Sequence, residues 1–317
     1  MNLYTQISIP TSDRPISYND KILLLGSCFA DSIGVKFSEH YFHTLVNPFG
    51  TLYNPASIAT ALCSSSNIQS PIANTHIVEW GGMWHSMLHH GSFSHPDKQE
   101  VIRRCEQSRE QLQLFLQQAS VVIVTFGTAW VYEYEGAVVA NCHKMPANMF
   151  VRRRLTVEEI VAMWQPIIES MPDKHWIFTV SPIRHVKDGL HENQISKAIL
   201  LQAIDSLTSN RISNINSNGE VCSYFPSYEI MLDELRDYRF YAEDMVHPSP
   251  VAVEYIWQRF VDTFMSVTTQ TEMRDLHQLW RDRHHRFLHP ESQEAQLFSQ
   301  RTKKRLQDLQ PRYPWIV

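Results

Sequence analysis

The sequence predicts an α/β fold in which a mostly parallel, doubly wound sheet is covered by helices. Two observations lead to this prediction. Short apolar runs that stop at glycine or proline recur along the chain, and stretches with helical spacing of apolar residues separate them. Strands that alternate with helices of about ten to twenty residues are typical of βαβ units.

Four runs are predicted to be the strands of this sheet. The first, Leu23–Leu25, is continuously apolar and ends at Gly26, as a strand covered on both faces does. Ser120–Gly127 and His175–Pro182 repeat the pattern with β-branched residues, and Val221–Phe225 is a weaker example.

Five segments between and after these runs are predicted to be helices. In the third, Thr156 and Glu159 have the spacing of a capping box, whereas Pro166 is expected to kink or interrupt the helix. In the fifth, Pro250 takes the first-turn position after Ser249. The five predicted helices are Phe29–Phe37, Gln99–Gln118, Thr156–Ser170, Glu192–Ser206 and Pro250–Phe264.

Two segments break this alternation and are interpreted as insertions at one end of the sheet. Residues 62–97 are rich in Ser, His, Gly and Trp, with one predicted strand at His76–Trp80, and residues 130–150 contain a predicted hairpin around Glu135 and Gly136. We therefore expect one domain over residues 1–268. Residues 269–317 are expected to form a helical extension that packs on this domain or mediates a homodimer.

Composition excludes several classes of protein. The 317 residues are 43% hydrophobic and 19% charged with a net charge of −5, which is ordinary for a globular protein and gives no reason to expect nucleic acid as a partner. The five cysteines are scattered without a CxxC spacing, so neither a disulfide framework nor a zinc ribbon is expected. No signal-like or bilayer-length apolar run is present, and a cytoplasmic protein that does not bind membranes is the expectation.

Ser27 is a candidate nucleophile because it follows the first strand directly. Ligands of open α/β sheets bind at the carboxyl ends of the strands, and the N–H groups of a helix that begins here would face a developing negative charge. The alternative is a serine that only caps the helix. Cys28 competes as nucleophile, since a thiol at a helix N-terminus can be activated, but we expect its side chain to turn back under the sheet.

A base and its orienting carboxylate are present near the end of the predicted domain. Asp244 and His247 lie three residues apart just before the last helix, so the carboxylate can bind one imidazole nitrogen while the other faces Ser27. A surface ion pair is the alternative. The combination with a serine at a strand end favours a catalytic triad.

The other motifs in the sequence do not indicate a catalytic, metal-binding or nucleotide-binding site. His85 and His89 have the spacing of metal ligands on a helix, but the flanking glycines and serines favour a loop and no HExxH glutamate is present. The run Arg152–Arg154 is interpreted as a solvated face. The chain contains no GxGxxG, GxxxxGK or GxSxG motif, so neither a nucleotide cofactor nor an ordinary α/β-hydrolase is expected. No cofactor or metal is predicted.

Several ordered motifs resemble the GSCFA family, which is grouped with the SGNH, or GDSL-like, hydrolases. The similarity extends over nearly all of the chain up to about Phe264. The motifs are LLLGSCFADSIG, NPFGTLYNPAS, VTFGTAWVY, NCHKMP, SPIRH and DMVHPS. The resemblance implies a flavodoxin-like, three-layer α/β/α SGNH-hydrolase fold.

The same resemblance implies a catalytic plan. Ser27 would be the nucleophile, His247 the base and Asp244 its orienter, with the N–H groups of Ser27 and Gly50 in the oxyanion hole. The usual Gly-x-Asn block reads Gly127-Thr128-Ala129 here, so its asparagine donor is missing. Three residues could replace that donor, and two histidines could face the substrate or be structural. The replacement donors are Thr128, Asn54 and Asn141, of which Asn141 is preferred, and the histidines are His143 and His185.

The predicted function is that of an SGNH-type serine esterase. It would remove a small acyl group, such as acetyl, from a carbohydrate-like ester, or transfer it to another hydroxyl, through an acyl-serine intermediate. Aromatic residues at Trp80, Trp84, Trp130 and Tyr132 could form a sugar-stacking wall, although such residues are more often core. The alternative is a binding or assembly module whose catalytic machinery has decayed, which the missing asparagine favours.

Overall fold

The computed structural model describes residues 5–65, 76–209 and 221–316. Within these ranges the central sheet has five strands, and two small sheets flank one of its ends. The central strands are β1 (Lys21–Gly26), β2 (His43–Val46), β5 (Val121–Phe126), β9 (His175–Val180) and β10 (Cys222–Phe225). The small sheets comprise β3 (Ile77–Trp80), β4 (Met83–Ser86), β6 (Trp130–Tyr134), β7 (Ala137–Val139) and β8 (Val151–Arg154).

The helices connect these strands and follow them. They are α1 (Cys28–Glu39), α2 (Pro55–Ser65), α3 (Lys98–Gln118), α4 (Val157–Glu169), α5 (Leu190–Ser209), α6 (Ser227–Glu229), α7 (Pro250–Phe264), α8 (Val267–Arg283) and α9 (Gln293–Leu309). The short α6 continues into a π-helical turn, Ile230–Glu234. Among the described residues, no helix combines the length and the apolar character needed to cross a bilayer.

The central sheet is parallel and doubly wound, as the sequence predicts. Its strand order is β2-β1-β5-β9-β10, so the chain builds outward from β1 in one direction and then returns to add β5 on the other side. This is the flavodoxin-like order. The direction reverses between β1 and β5, where Gly26 pairs with Thr125. A ligand crevice is expected at that point of the sheet.

Two hydrophobic clusters cover the two faces of the sheet and give the fold three layers. Successive side chains of β1 alternate between them: Leu23 and Leu25 pack with α2, α3, α4 and α5, whereas Ile22 and Leu24 pack with α1 and α7. Because all four side chains are buried, β1 reads as a continuous apolar run rather than an alternating one.

Gly26 turns the chain from β1 into α1. Its φ is 139°, and a Cβ built on it would lie 2.2 Å from the Thr125 carbonyl oxygen. Only glycine fits so close to the neighbouring strand in this conformation. Ser27 then caps α1, which begins at Cys28, one residue before the predicted Phe29–Phe37 segment. The position of the helix start is therefore fixed by the residue at the end of the strand.

Three local predictions need correction. Helix α4 has the predicted capping box but runs uninterrupted through Pro166, which lies near its C-terminus and removes a single N–H donor. The first insertion starts later than residue 62, because α2 extends to Ser65; residues 66–75 lie outside the described residues. Strand β2 and helix α2 were not predicted. The four residues of β2 are all half-buried, so its sequence shows no clear alternation of buried and exposed positions.

The two insertions form small sheets near the carboxyl end of the central sheet. The first forms the β3–β4 hairpin, one strand more than predicted. The second forms the predicted hairpin of β6 and β7, with Glu135 and Gly136 at φ of 52° and 81°, and β8 joins it on the other side. Positive φ at both turn residues is the geometry that two-residue hairpin loops favour.

The C-terminal helices pack on the central domain. Met273 and Leu276 of α8 join the cluster that contains Phe37 of α1 and Phe260 of α7. Residues beyond α9 return to the same cluster through Tyr313 and Ile316. Apolar side chains of this extension therefore pack within the chain.

Candidate active site

A cavity of about 630 Å³ opens at the carboxyl ends of the central strands. Its wall takes Cys28 from the residues after β1, Thr128 from those after β5 and Ile183 from those after β9. The loop before α7 closes one side with Asp244 and His247. The cavity thus lies at the expected switch point, and it joins segments from both ends of the chain.

A thiol, an imidazole and a carboxylate form a line on the cavity wall. The Nε2 atom of His247 lies 3.6 Å from the Sγ atom of Cys28. On the other side of the ring, Nδ1 lies 2.5 Å from the Asp244 Oδ2 atom. Because Nδ1–H donates to the carboxylate, Nε2 carries the lone pair that faces the thiol. This is the arrangement of a nucleophile, a base and an orienting acid.

The structure places the thiol of Cys28, rather than the hydroxyl of Ser27, beside the imidazole. Ser27 is 1% exposed and does not line the cavity, and its Oγ atom accepts a hydrogen bond from the Phe29 N–H at 3.3 Å. It therefore occupies the helix-cap position that was the alternative interpretation. The expectation that Cys28 turns under the sheet is wrong, because the first residue of α1 faces the cavity.

The loop that holds Asp244 and His247 is fixed by its own backbone. Tyr241 and Pro248 form an antiparallel bridge at its base. The second carboxylate oxygen of Asp244, Oδ1, accepts the N–H groups of Val246 and His247, each at 2.9 Å. These backbone bonds, followed by the bond from the imidazole, hold the pKa of Asp244 at about 2. The carboxylate is thus anionic at neutral pH.

The environment of Cys28 favours the protonated thiol. Burial raises its pKa above the ordinary value of a cysteine, while the N–H groups at the start of α1 act in the opposite direction. A raised pKa leaves little thiolate at neutral pH, so the thiol needs a base to become a nucleophile. His247 is placed to be that base.

Candidate donors for an oxyanion are available at the start of α1 and among the side chains of the cavity wall. Cys28 is the first residue of α1, so no carbonyl oxygen within the helix can accept a hydrogen bond from its N–H group. Asn54 lines the cavity, and its Oδ1 atom caps α2 by accepting the Ser57 N–H at 2.8 Å. Among the described residues its Nδ2 atom donates no hydrogen bond. Asn141 also lines the cavity, and among the described residues its Nδ2 atom likewise donates no hydrogen bond. The geometry therefore leaves Asn54 and Asn141, two of the three predicted replacements, as candidate side-chain donors.

Several predicted oxyanion donors are already used within the fold. The N–H of Ser27 donates to Thr125 at 3.2 Å, and that of Gly50 donates to Asn47 at 2.7 Å. The N–H groups of Gly127 and Thr128 both donate to the Tyr53 carbonyl, at 2.8 and 2.9 Å. The N–H groups of Ser27 and Gly50 are thus already paired within the fold, which corrects the prediction that they form the oxyanion hole.

Gly50 and Gly127 are glycines because of close packing rather than catalysis. A Cβ on Gly50 would lie 2.3 Å from the Cβ atom of His90, and one on Gly127 would lie 2.8 Å from the Tyr53 carbonyl oxygen. The Thr128 hydroxyl lies 3.0 Å from that of Ser196 and accepts the N–H of Trp130. These contacts hold the residues after β5 in place.

The remaining predicted residues divide into two groups. Asn141 and His185 line the cavity. Asn141 Oδ1 accepts the N–H of His143, and burial holds the pKa of His185 down to about 4, so this imidazole is neutral. His143 is not in the cavity wall: its Nε2 atom bonds the Ser86 carbonyl at 2.8 Å and its ring stacks on His85, so its role is structural.

The arginine run is a partly solvated face whose guanidinium groups are also paired with carboxylates. Arg152 pairs with Asp188 and lies over the Trp130 ring at 3.9 Å, and Arg154 pairs with Glu192. Of the four aromatics considered for a sugar-stacking wall, Trp130 and Tyr132 line the cavity, and Arg152 already stacks on both. A sugar ring would have to displace that guanidinium group.

Several polar or aromatic cavity residues were not identified as functional candidates from the sequence. Each follows a strand or lies in an insertion, and position directly after a predicted strand is the signal that could have found Arg184. They include Tyr53, His90, Cys142, Arg152, Arg184, Lys187 and Asp188. Within the described residues, no three His, Cys, Asp or Glu side chains form a group that could hold a metal ion.

Comparison with known proteins gives one match. The model of the GSCFA family matches residues 21–260, which include every residue of the thiol, imidazole and carboxylate line. No curated protein and no solved structure matches the chain significantly.

Proposed function

The chain belongs to the GSCFA family, and from this membership and the geometry of its cavity we propose that it is an acyl hydrolase of SGNH type with Cys28 as nucleophile. Its base is His247 and the orienting acid is Asp244. The flavodoxin-like strand order and the DxxH sequence before the last helix of the sheet support the SGNH assignment.

One observation carries this proposal: a single imidazole bridges the thiol at the end of β1 and a carboxylate more than two hundred residues later. A module that only binds a ligand has no need for an oriented base beside a nucleophile. The intact line therefore favours an enzyme over the binding-module alternative.

In the first half of the reaction, the Sγ atom of Cys28 attacks the carbonyl carbon of the substrate. The S–C bond forms as His247 Nε2 takes the thiol proton, and the carbonyl oxygen becomes an oxyanion. Asp244 stabilises the imidazolium that results. The oxyanion collapses, the bond to the leaving oxygen breaks, and His247 gives its proton to that oxygen. An acyl thioester on Cys28 remains.

In the second half, an acceptor attacks the carbonyl carbon of the thioester while His247 takes the proton of the acceptor. The C–S bond then breaks, the acyl group leaves on the acceptor, and His247 returns the proton to the sulfur of Cys28. The acceptor can be water or a hydroxyl group. The His247 side chain is 47% exposed, so water reaches the base directly, whereas acyl transfer requires a site that excludes water. Hydrolysis is therefore the favoured outcome, with transfer to another hydroxyl as the variant.

The cavity suits a small organic ester. Its volume lies within the range of about 300–1,000 Å³ that is typical of small-molecule sites. We propose that the acyl group is small, such as acetyl. Because Arg152 covers Trp130, a carbohydrate leaving group is a weaker part of the proposal.

The proposed function is tested with p-nitrophenyl acetate as an activated ester. We expect release of p-nitrophenol together with an acetylated protein, detected by intact mass after rapid acid quenching. The Cys28→Ala variant controls for background acetylation of lysines. Release and acetylation that are equal in the two proteins would contradict the proposal.

Asn54 provides a separate test of the oxyanion site. Asn54→Asp keeps the oxygen that caps α2 but replaces the Nδ2 donor with a second, negatively charged oxygen. We expect kcat for p-nitrophenyl acetate to fall by about 10²–10³, the usual effect of removing one oxyanion donor. Thermal unfolding should be nearly unchanged, because the cap is retained. Wild-type kcat in this variant would exclude Asn54 from the oxyanion site.

A further inference from the structure

The loop of residues 242–248, which we call the DxxH loop, carries both the carboxylate and the imidazole of the proposed active site. The Ala242 N–H donates to the His247 carbonyl at 2.7 Å, and the Met245 N–H donates to the Ala242 carbonyl at 2.9 Å. These bonds, like those made by the carboxylate, lie within the loop. They fix the imidazole relative to the carboxylate, but not relative to the Cys28 thiol, which lies 219 residues earlier in the chain.

Arg184 ties this loop to the segment that follows β9. The Arg184 N–H donates to the Val246 carbonyl at 3.3 Å, and its Nη2 atom donates to the Met245 carbonyl. Among the described residues, these two bonds and the contact of His247 with Cys28 are the hydrogen bonds that join the DxxH loop to distant parts of the chain.

The guanidinium group of Arg184 packs on aromatic rings instead of pairing with an acid. Its Cζ atom lies 4.2 Å from the ring centre of Tyr241 and 5.6 Å from that of Tyr238, two residues that precede the DxxH loop. Within the described residues, no carboxylate lies at ion-pair distance from it, whereas Arg152 in the same cavity wall pairs with Asp188. The guanidinium group thus contacts both the loop and the residues at its base.

Apolar contacts also reach the loop. The side chains of Val246 and Tyr241 pack partly against the hydrophobic cluster that contains Ile183, the residue before Arg184. Such contacts are non-directional and do not by themselves fix a hydrogen-bonding distance, whereas the two bonds from Arg184 require definite lengths and angles. We therefore expect the position of His247 to depend on Arg184.

We propose that Arg184 is a positioning residue: by fixing the DxxH loop to the end of β9, it sets the distance between the His247 imidazole and the Cys28 thiol. It acts through His247 and does not touch the reacting atoms. This inference rests on the proposed function in taking His247 as the base for Cys28.

Arg184→Met tests the proposal in the hydrolysis of p-nitrophenyl acetate. The variant keeps the backbone bond to Val246 but loses the guanidinium group. A misplacement of about 1 Å can cost about 10²-fold in rate, so we expect kcat to fall by about 10–100-fold. Arg184→Lys keeps the charge and a donor for the Met245 carbonyl, and it should recover part of this loss.

A double-mutant cycle with His247→Ala shows whether Arg184 acts through the imidazole. If it does, adding Arg184→Met to His247→Ala leaves the remaining rate unchanged, because the base that Arg184 positions is already absent. Acetylation at Cys28, read by peptide mass spectrometry, separates these small rates from background hydrolysis. Effects that multiply would overturn the proposal, since Arg184 would then act on the substrate, the oxyanion or the fold independently of His247.

Arg239→Met is the matched control. Arg239 precedes the same loop, its Cζ atom lies 5.2 Å from the Phe240 ring centre, and it pairs with Asp237 at 3.6 Å. It does not line the cavity, and within the described part of the chain it makes no hydrogen bond to the DxxH loop. We expect wild-type kcat in this variant. A loss equal to that in Arg184→Met would contradict the proposed role of Arg184.

A second measurement needs no ester and so separates this proposal from the proposed function. Cys28 is alkylated with 3-bromo-1,1,1-trifluoroacetone, and its ¹⁹F signal, assigned by its absence in Cys28→Ala, is followed as a function of pH. The step of this titration that disappears in His247→Ala reports the charge of the imidazole. Because the effect of a charge weakens with distance, we expect the step to shrink in Arg184→Met and to keep its size in Arg239→Met.

An unchanged step in folded Arg184→Met would overturn the proposal whether or not the protein hydrolyses esters, as would a wild-type titration in which no step depends on His247. A reduced step in a protein that hydrolyses no ester would support the positioning of His247 and contradict only the proposed function. Circular dichroism shows whether each variant is folded. If Arg184→Met does not fold, Arg184→Lys takes its place in both measurements, with a smaller change expected in the same direction.

Discussion

Cys28→Ala is expected to reduce the hydrolysis of p-nitrophenyl acetate by about 10⁴-fold or more, the usual result of removing a nucleophile. The thiol is the group beside the His247 base, at 3.6 Å from Nε2. Without it, the oxyanion donors and the cavity remain but no acyl-enzyme can form. Progress curves and intact mass after acid quenching measure both losses.

Ser27→Ala is the neighbouring control. Its hydroxyl caps α1 by accepting the Phe29 N–H and does not line the cavity. Loss of such a cap costs about 1 kcal/mol in the free energy of unfolding. We expect the variant to keep activity of the wild-type order and to melt at a lower temperature. An inactive Ser27→Ala beside an active Cys28→Ala would reverse the assignment of the nucleophile.

Asp244→Asn and His247→Ala are expected to lower kcat by about 10³–10⁴-fold, the next largest effects. His247→Ala removes the base. In Asp244→Asn, one side-chain atom can still accept the loop N–H groups, but an amide now faces Nδ1 and favours the wrong imidazole tautomer. Because the pKa of Asp244 is held at about 2, the wild-type rate should show no carboxyl titration near neutral pH.

Asp188→Asn provides the matched control for the carboxylate. Asp188 also lines the cavity, but it pairs with Arg152 rather than with an imidazole. Its replacement should change kcat far less than that of Asp244. Equal losses in the two variants would indicate that the charge of the cavity, and not the orientation of His247, determines the rate.

The sequence predicted the sheet well because its central strands are buried on both faces. β1, β5 and β9 are runs of apolar residues that end at glycine or proline, and such runs need no knowledge of the rest of the chain. Strand β2 was missed because it has four residues, all half-buried. Its position comes from pairing with β1, which is a tertiary contact.

The choice between Ser27 and Cys28 could not be made from the sequence. Both residues lie at the β1–α1 turn. The residue at which α1 begins decides which of the two side chains caps the helix and which faces the cavity. Serine is a preferred N-cap, and the φ and ψ angles of Ser27, −68° and 173°, are those of a cap. That preference indicated the cap position of Ser27, whereas the resemblance to serine hydrolases favoured the same residue as nucleophile.

The polar face of α5 was also missed, although the sequence contained a signal. Asn193, Ser196 and Lys197 are buried and continue, at helical spacing, into the apolar face that includes Leu200 and Ile204. Polar side chains that are buried in the first turns of an otherwise apolar helix face are expected to have hydrogen-bond partners. In this fold they bind the backbone and side chains of the residues after β5 and β9.

The most direct test of the account locates the acetyl group on the acyl-enzyme. The protein is quenched in acid during turnover of p-nitrophenyl acetate and digested, and fragment ions that separate residue 27 from residue 28 are read by tandem mass spectrometry. We expect the acetyl group on Cys28, as a thioester that neutral hydroxylamine removes. An acetyl ester on Ser27 would contradict it.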